Sequence, residues 1–124
     1  MNAKDLVAAF AERLEARDWK GLAELLDPDV VYEVPQTHER IRGSDRYITF
    51  NIEYPGEWHI EPKVVLGDDH DGCLLFRWTV GESEDALAIA FFEVAAGRIT
   101  KVTDFWPEPY EPPAGREHLL ERWE

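Results

Sequence analysis

Between residues 58 and 106 the chain divides into four strand-length apolar segments, 58–66, 73–80, 86–94 and 99–106, each closed by turn-forming residues. The separators are GDDHDG at 67–72, GESED at 81–85 and AAG at 95–97, short enough to predict an antiparallel meander. A sheet of this kind has to cover at least one face, and the residues ahead of it supply the cover. Over 2–17, Leu6, Phe10 and Leu14 recur four apart with Val7 and Ala9 widening the stripe, and Asn2 and Asp5 stand at capping-box spacing, which predicts an amphipathic helix. Asp18 caps a second helix over 19–26, whose Leu22, Leu25 and Leu26 form one face before Pro28 stops it. Val30, Val31, Tyr32 and Val34 predict a strand ending at Pro35. Ser44 opens a third helix with Tyr47, Asn51 and Tyr54 on one side, although its aromatic and branched residues also suit a strand. The order gives an α+β fold with helices across one face of the sheet.

At 124 residues this is the size of one domain, 1–124, with a proline-rich extension at 107–124 whose 116–123 segment reads as a closing helix or a docking segment. Thirteen Lys and Arg against 26 Asp and Glu leave a net charge of -13, which repels nucleic-acid phosphates and anionic bilayers, so neither nucleic acid nor membrane is an expected partner. The lone Cys73 offers no internal disulfide and reads as core, no run of about 18 apolar residues suits a bilayer span, and the cytoplasm is the expected location. His38, His59, His70 and His118 lack zinc-ligand spacing, the acidic turn at 68–71 reads as solvent-facing, and no phosphate loop or nucleophile elbow occurs. Neither a metal nor a cofactor is expected.

The residue with the most chemical promise is Asp104. Strand alternation puts it on one side of the last segment with Thr100, Val102 and Trp106. Facing inward, its carboxyl would be desolvated and suited to acid or base work; the structural alternative is a salt bridge or hydrogen bond to Arg77 or Tyr32. The stripes Phe76–Trp78–Val80 and Leu87–Ile89–Phe91 read as core or as the walls of a pocket for a small hydrophobic molecule. Ala88, Ala90 and Phe92 point opposite to Ile89 and Phe91, so both faces of that strand are apolar, as a homodimer interface on the outer sheet face requires. His38, in the polar loop after Pro35 and Gln36, lies where a pocket mouth would form.

The helix order, LDPDVVYEVP at 26–35, IRGSDRYI from Ile41 and AGRITKVTDFW from Ala96 resemble the SnoaL-like branch of the nuclear transport factor 2-like superfamily. The resemblance implies a cone: a curved antiparallel sheet wrapped around three N-terminal helices, a deep apolar cavity, and pairing through the outer sheet face. Superfamily members include polyketide cyclases, steroid isomerases, dehydratases and epoxide hydrolases, so the site has to select the chemistry. Relatives resembling ketosteroid isomerase carry a base before the proline after the first strand, an oxyanion-binding tyrosine and an acidic partner; the matching positions here are Val34, Phe10 and Ile89, all apolar. In cyclase-like members an inward Asp or His is the acid or base, and Asp104 is the analogue, with His38, Tyr32 or Tyr47 as a second polar contact.

The expected catalytic residues are thus Asp104, His38 and Tyr32. The expected ligand-binding walls are Phe10, Tyr47, Trp58, Phe76, Trp78, Ile89, Phe91, Val102 and Trp106. The expected function is a cofactor-independent cyclase, isomerase or dehydratase acting on a small hydrophobic carbonyl compound; the alternative is a non-catalytic ligand-binding or structural dimer of the same fold. The resemblance also assigns WPEPYEPPAG, at 106–115, to covering the cavity or the neighbouring subunit, through its prolines and Tyr110.

Overall fold

The computed structural model describes residues 1–123. Its elements run α1 (Ala3–Glu15), α2 (Trp19–Leu25), β1 (Leu26–Val34), β2 (Glu39–Arg42), α3 (Ser44–Glu53), β3 (Trp58–Gly67), β4 (Asp71–Val80), β5 (Glu84–Ala95) and β6 (Arg98–Phe105). The first two helices start at side-chain caps, while α3 follows Gly43 without one. Asn2 Oδ1 accepts from the Asp5 amide at 2.9 Å to cap α1, and Asp18 Oδ1 accepts from Gly21 at the same distance to cap α2. The third candidate is helical, and Pro55 follows its end.

The six strands form one sheet in the order β2-β1-β6-β5-β4-β3. From β3 to β6 the expected antiparallel meander holds, but β1 lies parallel to β6, so the sheet is mixed. The reason is connectivity: three hairpins return the chain beside β1 in the direction β1 already runs, which only a long crossover permits. The strand β2 was not expected. Glu39, Arg40 and Arg42 hide it as an edge strand, four residues long and mostly charged, paired with β1 from Val31↔Arg42 to Val34↔Glu39.

Curvature enters at three irregularities, in β1 between Leu26 and Val31, in β3 between Pro62 and Val64, and where β5 meets β6. At the last, Glu93 pairs with Lys101 and Val94 with Ile99, so Thr100 is the extra residue. It overturns the expected phase of β6 at that point, since Ile99 is fully buried and Thr100 is not. Beyond the bulge Val102 and Asp104 alternate inward as expected.

Helix α1 lies across the concave face with Leu6, Val7, Phe10, Ala11 and Leu14 buried. Its first turn packs against the β3–β4 hairpin so closely that a Cβ at Gly67 would come 2.6 Å from the Lys4 amide nitrogen, and one at Gly72 2.6 Å from Val7. The Ala3 amide donates to the Asp68 carbonyl at 3.0 Å across this contact. The sheet's outer face carries Leu87, Phe91 and Ile89, and Cys73 is half-buried there instead of in the core. The prolines keep 107–113 out of a helix, and the closing helix expected at 116–123 is reduced to one 3-10 turn, Glu117–Leu119. Tyr110 stands exposed and does not border the cavity. No helix among the described residues is long and apolar enough to cross a membrane.

Candidate functional site

Helices and sheet do not meet everywhere. Between α1, α3 and the concave face lies a cavity of about 750 Å³. Its size follows from side-chain choice on the central strand: the inner face of β5 presents Ala86, Ala88 and Ala90, while the neighbouring β4 presents Phe76 and Trp78. Methyl groups in the middle of a sheet with indoles beside them leave space that backbone curvature then encloses.

Asp104 projects into this space from β6. It is 8% exposed, the sole buried charged residue among those described. The Tyr32 hydroxyl donates to Asp104 Oδ2 at 2.6 Å. The parallel pairing of β1 with β6 brings them together, since Tyr32 lies opposite Val102, two residues before Asp104. Oδ1 takes no hydrogen bond from a described residue, and no fully buried side-chain polar atom among them lacks a partner, so Oδ1 opens onto the cavity. Burial pushes the Asp104 carboxyl up to about 7, against the opposing pull of the Tyr32 hydrogen bond. Burial raises the Tyr32 and Tyr47 phenols as well, with the Asp104 charge adding to both, so they stay protonated donors.

Tyr47 of α3 is buried against Phe10 and Tyr32, with ring centroids 6.4 Å and 4.9 Å away. Trp106, just beyond β6, sets its edge against Phe76 at 5.6 Å and Trp78 at 5.4 Å. Gln36 clamps the Trp106 backbone: its Nε2 donates to the Trp106 carbonyl at 2.8 Å, and its Oε1 accepts from the Trp106 amide. A side chain from the β1–β2 turn thereby fixes the wall next to the carboxyl.

Of the expected site residues, Asp104, Tyr32, Phe10, Tyr47, Phe76, Trp78 and Trp106 all border the cavity. His38 does not. It sits exposed in the tight β1–β2 turn at φ 62°, while its neighbours Thr37 and Glu39 reach the mouth. Ile89 and Phe91 face outward, because the alternation that puts Ala88, Ala90 and Phe92 inside sends them to the other face; Phe91 packs edge-on against Phe105 at 5.9 Å. The position matched to the isomerase acid is therefore not occupied by Ile89 on the cavity side. Trp58 and Val102 are buried without bordering the cavity, Trp58 stacking on Trp78 at 5.3 Å from behind. Unexpected lining comes from Phe50, Asn51, Tyr54, Ile60, Ala90 and Glu84. Asn51 and Tyr54 share the α3 face with Tyr47, and the alanines of β5 recur at strand period, so both signals lay in the sequence. Among the described residues no three His, Cys, Asp or Glu side chains gather to hold a metal ion.

A carboxyl poised near neutrality, one oxygen held by a phenol and the other open to an apolar space, is suited to taking or giving a proton. The sequence comparisons agree with the architecture. The SnoaL-like domain model matches residues 7–102. The chain belongs to the SnoaL-like domain family.

Among solved structures, this SnoaL-like chain is 44% identical to a Kribbella flavida protein named as a ketosteroid isomerase, with a TM-score of 0.94 over 98% of this chain and 89% of that one. An NTF-2 like protein from Burkholderia xenovorans is 19% identical, with a TM-score of 0.79 over 97% and 94% of the two chains. An LEH-like epoxide hydrolase from M. tuberculosis is 24% identical, with a TM-score of 0.72 over 83% and 80%. These last two show the shared fold, an α+β cone. No curated protein matches the sequence.

Proposed function

We propose that this SnoaL-like protein is an acid/base enzyme that moves a proton at the carbon next to the carbonyl of a small hydrophobic compound. The observation that carries the proposal is Asp104 Oδ1, open to an aromatic cavity while Tyr32 holds Oδ2. In the ionised form Oδ1 takes the α-proton, and the electron pair of the broken C–H bond passes to the carbonyl oxygen as an enolate. Tyr47, which lines the same cavity as Asp104 and is kept protonated by burial and by the Asp104 charge, is the donor available to that oxygen. The protonated Asp104 then returns its proton to the same or a neighbouring carbon, which restores the carboxylate. The relative named as a ketosteroid isomerase supports this class of chemistry. An isomerase base before Pro35 is not available, since Val34 occupies that place as part of the cavity wall and Phe10 stands where the tyrosine would.

The test is exchange of the α-protons of 4-phenyl-2-butanone for deuterium in D₂O, followed by proton NMR. Wild type should exceed the buffer rate, and Asp104→Asn should lose about 100-fold or more of that acceleration, the usual contribution of a positioned acid or base. Equal rates for the two would contradict the role of Asp104. Binding of the ketone without exchange in wild type would favour a carrier.

We also infer that two copies pair through the outer sheet face, where Leu87 is 53% and Phe91 49% exposed beside Phe105. Light scattering should give twice the mass of the chain for wild type and the single mass for Phe91→Lys. A monomeric wild type would end the inference.

A further inference from the structure

The cavity walls form a continuous chain of rings. Tyr32 meets Phe50 at 5.6 Å, Phe50 meets Tyr54 at 6.1 Å, Tyr54 meets Trp78 at 5.4 Å, Trp78 meets Trp106 at 5.4 Å, and Trp106 meets Phe76 at 5.6 Å. Each of these six borders the same space. Such an enclosure has two natural occupants, a neutral apolar body or a cation attracted to the negative ring faces.

The charges at the cavity decide between them. Asp104 lies inside it, and Glu84, at the start of β5, lines it beside Trp78. The Trp78 indole Nε1 donates to Glu84 Oε2 at 2.9 Å, which ties one aromatic wall to a carboxylate; burial raises the Tyr54 phenol, and the charge of Glu84 adds to that. Glu39 adds a third carboxylate at the mouth. Against them stands Arg40, the one Lys or Arg among the lining residues, and its guanidinium is already paired with Glu33 at 2.5 Å. Glu84 has no cationic partner among the described residues. The site therefore offers aromatic faces, one open carboxyl oxygen inside and an uncompensated carboxylate at the edge, with no free cation to meet an anionic ligand.

We propose that the cavity selects a ligand bearing an ammonium group on an apolar body, with the cation seated among Tyr54, Trp78 and Trp106 and drawn toward Glu84. This rests on the reading of the cavity as the substrate site and narrows the substrate to amine-bearing hydrophobic compounds. The apolar body fills the space bounded by Phe10, Phe76 and Ala90, beside Asp104.

Isothermal titration calorimetry with two probes of similar size tests it: phenethyltrimethylammonium, and the neutral ketone 4-phenyl-2-butanone, both at about 0.15 M salt so that the acidic exterior is screened. Wild type should bind the cation at least about tenfold more tightly than the ketone. In Glu84→Gln, which keeps the side-chain size and an acceptor for the Trp78 indole, the ratio of the two affinities should fall by about tenfold. A ketone that binds as well as the cation to wild type overturns the proposal, as does an unchanged ratio in Glu84→Gln. If the ketone binds and exchanges its protons while the cation shows no preference, only the ammonium selectivity fails. If neither probe binds, the substrate-site reading fails with it.

Discussion

Asp104 is expensive where it stands, and that expense is informative. A carboxylate taken out of water into an aromatic cavity is penalised, and one hydrogen bond from Tyr32 does not offset the loss, so its proton is held to about pH 7. The folded chain therefore binds this proton more tightly than the unfolded chain, whose carboxyl has the ordinary value of 3.8. The stabilising difference is fully present below the unfolded value and is lost as pH rises through about 7. Tyr32 acts in the opposite direction, because its hydroxyl favours the charged form. Tyr32→Phe should accordingly move the acidic, ascending limb of the proposed reaction's pH–rate profile to higher pH and leave proton transfer slower at neutrality, with activity regained on the alkaline side. A limb that stays put, or moves to lower pH, would show that the hydrogen bond does not set the carboxyl. Alternation from Val102 groups Asp104 and Trp106 on one side but does not tell whether that side is inward, which the burial of Asp104 decides. Counting also separates Ile89 and Phe91, out of phase with Ala88 and Ala90, yet the Leu87–Ile89–Phe91 stripe, expected as core or pocket wall, is outer surface. His38 had no such guide, since a turn residue's direction depends on the turn's backbone, here left-handed at that position.

Elements were legible where their cause is local. The caps at Asn2 and Asp18, the turns at 67–72 and 95–97 and the apolar periodicities place α1, α2 and the four long strands, while the third helix stays open to a strand reading. What could not be read is what depends on distant partners. Nothing in residues 26–34 states that they will lie parallel to 98–105, and that pairing is what delivers Tyr32 to Asp104. The edge strand β2 forms because β1 offers it a ladder, despite three charged residues in four. The Thr100 bulge likewise has no local signature; it reconciles two strands whose inner faces would otherwise fall out of register. The most useful overlooked pattern was negative: Ala86, Ala88 and Ala90 keep the inner face of β5 free of large side chains, and Ala90 borders the cavity.

At the scale of the molecule, two opposed surfaces come from one sheet. The concave face and helices enclose an aromatic space around a carboxyl, while the convex face exposes Leu87 and Phe91, the surface proposed to take a second copy. The chain carries a net charge of -13, and acidic side chains reach the cavity as well, through Glu39, Glu84 and Asp104. The account turns on whether the enclosure perturbs that inner carboxyl. Titration of the Asp104 side-chain carboxyl carbon by ¹³C NMR, from about pH 3 to about pH 9, measures it directly. The account predicts a midpoint near 7; a midpoint near 3.8 would mean that water reaches the group freely and that the cavity is no site for acid/base chemistry.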